Sequence, residues 1–338
     1  MNNFRQLINI YSMNSDQPSW RVVSEWEQEL SRCLNLDIRR ENKFSRFVKF
    51  RIIDKFKIAG VLNSLKPRRS LSLRFIMKAE SHETIFVDKN TVPVIIDFWL
   101  NKSDLPFFYY AYRKTTLVLI SNLEVYDYLM ANNCPLNIVH WPLSYPDKYI
   151  DSYENKHPTR KDFEFCIFGR SNPFFLRLLE EYAQKYPDFE YITNSGPSDN
   201  RVYVTNKGKI IAKDEGRSSY LEMISRTKIS CYSTPGIDES KKESSSFNQV
   251  TPRLFEMLSN RCMVIAHYPI SADTQWYNLK EYIPNVNNFM EFETVLNKFR
   301  KSEFDDRKIG EFLNLHRTSN RAKTLEEILK KNNINIRS

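Results

Sequence analysis

Two stretches of this 338-residue chain carry residues whose type and spacing suit an anionic, hydroxyl-rich ligand. The first is 247–267, FNQVTPRLFEMLSNRCMVIAH. Thr251 suits a helix N-cap, Pro252 fits the first turn, and Arg253 follows in that turn. The positive end of such a helix attracts an anion. Glu256 stands one turn further on, with Leu254, Phe255 and Leu258 on the core side. A carboxylate there can accept two hydrogen bonds from a ribose diol. The same residues also fit a plain surface helix with an Arg253–Glu256 pair at i, i+3. The second stretch is 163–180, FEFCIFGRSNPFFLRLLE, where an apolar strand runs into Gly169 and Arg170 and a helix opening near Pro173 carries Arg177. Glycine permits a tight turn or a close backbone approach. Guanidinium groups at the carboxyl end of a strand suit a diphosphate, because their planar fork binds oxygens in pairs. An ordinary strand-to-helix turn would look the same.

Other residues are weaker candidates. Asp238 and Glu239 follow a Ser-Thr-Pro-Gly turn, and Asp273 and Trp276 follow the strand at 262–268, so these acids could meet sugar hydroxyls or be solvated loop residues. Asp97 and His140 close two apolar runs and are the catalytic candidates, although core or capping duty accounts for either. Ser121 and Asn122 read as helix caps.

Several chemistries are excluded. With only 7 glycines there is no G-x-G-x-x-G and no G-x-x-x-x-G-K-[ST], so a dinucleotide dehydrogenase, a P-loop NTPase or a protein kinase is a poor reading. The five cysteines include no C-x-x-C pair and the five histidines no H-E-x-x-H. A disulfide framework or zinc site is not expected, and a reducing cytoplasm fits. There is no D-x-D to clamp a divalent ion on a diphosphate. Arg170, Arg177, Arg253 and a helix dipole would neutralise it instead, and neither metal nor cofactor is expected.

The elements that must position these residues are legible from hydropathy. Short apolar runs at 83–88, 92–98, 116–121, 136–141, 163–169, 189–193, 228–233 and 262–268 read as buried strands. Helical patterns at 122–133, 173–187, 219–227 and 251–260 lie between them. This alternation predicts an α/β chain with parallel sheets flanked by helices. The polar, proline-bearing stretch 142–162 reads as a linker. The expected division is therefore 1–150, 151–300 and a helical tail over 301–338. Ligands of such sheets bind beyond the carboxyl ends of the strands, and a cleft between two such domains is the default site.

The charge is concentrated. The chain carries a formal +9, yet residues 39–78 alone hold 13 Lys/Arg against Glu41 and Asp54. Phe47, Phe50, Ile53 and Phe56 recur every three residues there, which predicts an amphipathic basic helix. Such a face attracts an anionic membrane, an anionic lipid-linked substrate or nucleic acid, or is a core helix with a solvated basic side. No run is apolar and long enough to cross a bilayer, and the N-terminus does not read as a signal peptide.

Together STPGID (233–238), NQVTPRLFEMLSNRCMVIAHYP (248–269) and DTQWYNL (273–279), with CIFGR (166–170), resemble the donor domain of GT-B glycosyltransferases of family four and the related group-1-like bacterial sugar transferases. PVIIDFW (93–99), LVLISNLEVYDYL (117–129) and NIVHWPLSYPDKY (137–149) resemble the first domain. The resemblance spans most of 90–295, and the first 80 residues carry none of it. It implies two Rossmann-like domains with parallel sheets facing each other across a cleft. It also implies metal-independent, configuration-retaining transfer of a sugar from a nucleotide-diphosphate donor to a glycan or a lipid-pyrophosphate-linked acceptor, in bacterial surface polysaccharide synthesis. The implied donor-binding residues are Gly169, Arg170, Arg177, Asn248, Thr251, Arg253 and Glu256. Asn248 stands where the family often has a second glutamate, and Phe175 falls near the place of its usual lysine. The implied location is cytoplasmic, peripheral at the inner face of the membrane through residues 39–78, with no nucleic-acid partner. Neutralising Arg68, Arg69 and Arg74 would then weaken vesicle binding. The rival expectations are a non-catalytic basic module binding nucleic acid or membrane, a nucleotide-sugar epimerase of the same fold, and an inactive protein of that fold.

Overall fold

The computed structural model describes residues 5–12, 21–40, 70–79, 89–155, 159–169, 171–196, 202–213, 216–237 and 247–337. They form two compact units, Met1–Asp147 with Arg317–Ser338, and Lys148–His316.

The first unit opens with β1 (Arg5–Ser12), α1 (Arg21–Leu34), β2 (Asp37–Arg40) and β3 (Ser70–Lys78). It continues through β4 (Thr91–Asp97), α2 (Leu105–Tyr112), β5 (Val118–Ile120), α3 (Leu123–Ala131) and β6 (Ile138–His140). The strands pair in parallel, β1 with β2 and β3, then β3–β4–β5–β6. β4 is buried on both faces from Thr91 to Ile96, as a central parallel strand must be. Pro93 is tolerated inside it because pairing with β5 begins only at Val94. Leu71, Leu73 and Phe75 of β3 enter the same core as Trp26 and Leu30 of α1.

In the second unit, β7 (Phe163–Cys166), β8 (Tyr191–Ser195), β11 (Thr227–Ser233) and β12 (Met263–His267) are parallel, and β9 (Val202–Thr205) and β10 (Ile210–Lys213) add an antiparallel edge. The order is β10-β9-β8-β7-β11-β12. Its helices are α4 (Asp147–Asn155, whose first residue belongs to the first unit), α5 (Pro173–Lys185), α6 (Arg217–Ser225) and α7 (Pro252–Ser259). They are followed by α8 (Ala272–Trp276), α9 (Leu279–Tyr282), α10 (Phe289–Lys301) and α11 (Asp306–Leu315). α5 buries Phe175, Leu178, Leu179 and Tyr182, the i, i+3, i+4, i+7 stripe of an amphipathic helix.

The chain then returns to the first unit as α12 (Thr318–Lys331) and β13 (Ile334–Ile336). β13 pairs in parallel with β1, Arg5 opposite Ile334, and completes a seven-stranded sheet. Leu325 and Leu329 of α12 are fully buried.

Three expectations are corrected. The tail over 301–338 is no separate domain: α11 stays with the second unit while α12 and β13 are structural parts of the first. The polar stretch 142–162 contains α4, anchored by buried Ile150 and Tyr153. Residues 70–78 of the basic segment are a strand inside the sheet order, with Arg74 against the Tyr11 ring at 5.4 Å, rather than a continuation of a basic helix. Residues 41–69, with the expected basic helix and Arg68 and Arg69, lie outside the described residues, as does the strand expected at 83–88. Among the described residues no helix is long and apolar enough to cross a membrane.

Candidate functional site

In the second unit Gly169, Asn248, Thr251, Arg253 and Asp273 gather where β7, β11 and β12 end. β7 leads through buried Ile167 and Phe168 to Gly169, whose φ of 73° lies in the left-handed region that glycine adopts without strain. Space matters there as much as conformation. A Cβ on Gly169 would stand 2.5 Å from the guanidinium carbon of Arg253 and 2.8 Å from its Nε. The Arg253 side chain therefore lies directly against the Gly169 backbone. The Asn194 side-chain amide of β8 donates to the Gly169 carbonyl from the other side.

Arg253 reaches this position because α7 starts where expected. Thr251 is its N-cap residue in extended conformation, and Pro252 follows in the first turn. The Thr251 hydroxyl makes no capping bond, contrary to expectation. Instead the Tyr232 hydroxyl accepts from the Thr251 backbone N–H at 2.9 Å. Burial pushes the Tyr232 phenol up, and its bonds to Thr251 oppose that shift. The loop before the helix is fixed at two more points. Asp273 accepts from the Val250 N–H at 2.7 Å, and Asn248 accepts from the Thr234 hydroxyl at 2.7 Å. Asp273 has no exposed surface, so its carboxylate braces this loop rather than meeting a sugar. Asn248, where a carboxylate was the alternative, joins the loop to the turn after β11.

Glu256 is 4% exposed. It does not form the surface pair with Arg253. Its Oε1 is held by the Arg217 guanidinium, and its Oε2 accepts from the Tyr220 hydroxyl at 3.0 Å. Burial, with Glu256 second, pushes the Tyr220 phenol well up, so this hydroxyl keeps its proton and donates. The carboxylate is aimed from two sides, and each oxygen retains a further lone pair. Arg217 and Tyr220 escaped sequence reading because α6 binds through side chains an ordinary amphipathic pattern does not single out. The Gly216–Arg217 pair at its start, echoing Gly169–Arg170, was the available signal.

Arg177 is exposed on α5, opposite Phe175, Leu178, Leu179 and Tyr182, and so points away from the core side of that helix. Arg170 and Asp238 lie outside the described residues. Asn172, unforeseen as a site residue, is 3% exposed and caps α5 by accepting from the Phe174 N–H at 3.0 Å. Its Nδ2 is buried without a hydrogen-bond partner.

In the first unit, Asp97 ends β4 and His140 ends β6, and Ile95–Ile120–His140 run level across the sheet. His140 is lowered to about 4, chiefly by burial and then by the Arg321 cation, against a backbone hydrogen bond at Ser121. At neutral pH it is an uncharged imidazole of low basicity, poorly matched to general-base work. Ser121 donates to the Ile96 carbonyl at 3.0 Å, and Asn122 caps α3 by accepting from Val125 at 3.2 Å, the cap duty read from sequence. Among the described residues no group of His, Cys, Asp and Glu is arranged to hold a metal.

The arrangement is a guanidinium pressed on a glycine turn, with a carboxylate aimed from two sides one turn along the same helix. No protein-family profile matches this chain, and no curated protein matches it in sequence. Solved structures do match in shape. A glycosyltransferase from Rickettsia africae ESF-5 aligns over 96% of this chain and 98% of its own, at TM-score 0.56 and 12% identity. The N-terminal domain of a Candida albicans trehalose-6-phosphate phosphatase aligns over 97% of each chain, at TM-score 0.56 and 8% identity. The fold is GT-B glycosyltransferase-like, two Rossmann-like α/β units each built on a largely or wholly parallel sheet.

Proposed function

We propose that this chain is a glycosyltransferase that takes a nucleotide-diphosphate sugar in its second unit. The observation that carries the reading is the Arg253 guanidinium lying on Gly169 with Glu256 buried and aimed one turn along the same helix. Arg253 would neutralise the diphosphate, whose charge grows as the sugar leaves, and Arg170 would join it. Glu256 would accept from the ribose diol while Arg217 and Tyr220 keep it oriented. The glycosyltransferase name of the Rickettsia structure supports the same class.

The remaining parts of the proposal come from the sequence. Transfer would retain the anomeric configuration, as the sequence resemblance implies, and would need neither metal nor cofactor, since no D-x-D occurs and arginines are at hand. The acceptor would be a glycan or a lipid-pyrophosphate-linked sugar in bacterial surface polysaccharide synthesis. The protein would then work in the cytoplasm against the inner membrane face, with the cations of 41–69 meeting anionic lipid. Rate would come mainly from leaving-group stabilisation and from holding the acceptor close.

Product analysis with labelled nucleotide sugars tests the reaction. The proposal expects a free nucleoside diphosphate and label on an acceptor. Isomerised nucleotide sugar with no acceptor product would mark an epimerase instead, and no turnover with any donor would leave a binding protein.

A further inference from the structure

We propose that the side-chain amide of Asn172, at the head of α5, donates to the same diphosphate that Arg253 neutralises. The inference rests on the nucleotide reading and adds to it a residue that no sequence signal named. Asn172 is 3% exposed. Its Oδ1 accepts from the Phe174 N–H at 3.0 Å, and its backbone carbonyl accepts from the Leu176 N–H at 3.2 Å. A backbone N–H only donates, so the first contact fixes which atom of the carboxamide is oxygen and which is nitrogen. The nitrogen, Nδ2, is buried with no hydrogen-bond partner. A buried donor left unmet is costly, and native structures keep few. Capping does not account for it, because aspartate or serine caps a helix as well as asparagine does and brings no amide.

Position names the ligand. A carboxamide is planar, so with Oδ1 on the first turn Nδ2 stands at the same positive end of a 13-residue helix. Pro173 has no N–H, and the Phe174 and Leu176 N–H groups are already bonded to Asn172. The amide therefore carries the helix's donor capacity outward. Gly169, with the Arg253 guanidinium against it, lies three residues back along the chain. Three residues span at most about 10 Å, so the cation and the amide flank one short turn. That turn is held from two sides. The Asn194 amide donates to the Gly169 carbonyl, and the Phe174 ring stacks on His267 at the end of β12, with 3.8 Å between centroids. A charged donor and a neutral donor beside one glycine turn suit an anion with several oxygens, the pyrophosphate part of a nucleotide sugar. An oxygen bound there gives Nδ2 the acceptor it lacks.

Calorimetry of the full chain with inorganic pyrophosphate tests it, in wild type, Asn172→Ser and Asn172→Asp. Both variants keep an oxygen to cap Phe174 and lack the amide. Wild type is expected to bind, and Asn172→Ser to bind roughly ten- to a hundredfold more weakly, as for the loss of one hydrogen bond to a charged group. Asn172→Asp should bind more weakly still, because its charge opposes the anion. Without ligand neither variant should melt below wild type, a combination that a merely structural role does not produce. The rise in melting temperature on adding pyrophosphate should shrink with the affinity. Wild-type affinity in either variant overturns the inference, as does no pyrophosphate binding by wild type. Lower ligand-free melting of both variants overturns it too, since the amide would then have its partner within the fold. None of these results decides the nucleotide reading, which stands or falls on whether a nucleoside diphosphate binds.

Discussion

Gly169 shows how much one residue can hold in place. Its positive φ and the guanidinium on its Cα mean that Gly169→Ala meets two penalties, backbone strain and a clash that expels Arg253. The expected loss is about 1–3 kcal/mol of stability, with anion binding falling further because Arg253 moves. Denaturant unfolding beside phosphate titration checks both effects. His140 makes a pH prediction. Its folded value of about 4 lies below the ordinary 6.5, so the unfolded chain binds more protons between those values. Stability contributed by the neutral imidazole is complete above about 6.5 and is lost as pH falls toward about 4. His140→Gln should flatten the melting temperature over that window relative to wild type; parallel slopes would remove the assignment. The residue scale was only partly legible in sequence. Gly169, Arg253 and Glu256 can be singled out in the sequence because glycine, proline and a strand-to-helix turn are local signals. Of the two readings of Glu256, the pair with Arg253 does not form: i, i+3 spacing names a neighbour on the same helix, while the buried carboxylate is held by Arg217 of another.

At the scale of elements, parallel strands buried on both faces announce themselves as continuous apolar runs, so β4, β7, β11 and β12 could be read directly. β1 and β3 could not. RQLINIYS and SLSLRFIMK mix charges and serines with apolar residues, and only pairing with three neighbours for β1 and two for β3 makes them interior strands. The β9–β10 hairpin departs from the strand–helix alternation and so was missed. Caps were legible where side chains perform them, as at Asn122, and not at Thr251, where the Tyr232 hydroxyl from another element does the work. Asn172 yields a prediction at this scale. Asn172→Asp keeps the acceptor for Phe174, removes the unpaired buried amide and places a negative charge at the positive end of α5. It should stabilise the second unit by about 0.3–1 kcal/mol. A lower melting temperature would show that the amide has a partner in solution.

At the scale of the whole molecule, the chain leaves its first unit at Asp147 and re-enters it at Arg317. The two crossing segments are joined to each other. Thr318 donates to the Tyr145 carbonyl at 3.0 Å, and the Ser319 N–H donates to Asp147 at 3.1 Å. Hydropathy showed a helical C-terminus and could not show which sheet its last strand joins, because return across a whole domain leaves no local mark. Leu325→Ala or Leu329→Ala should therefore destabilise the first unit by about 2–5 kcal/mol while leaving the Gly169–Arg253 turn of the second unit intact. Hydrogen exchange resolved by segment would show the loss in β1 and β3 rather than in β7 and β11.

Isothermal calorimetry of nucleoside diphosphates against wild type and Glu256→Gln bears most directly on the central claim. The glutamine keeps an acceptor for Tyr220, so the fold should survive where alanine would remove the partner of both Tyr220 and Arg217 on α7. At least one nucleoside diphosphate should bind wild type, and the variant should bind it more weakly by about 1–3 kcal/mol. Equal affinity in a folded variant, or no binding of any nucleotide to wild type, would contradict the account.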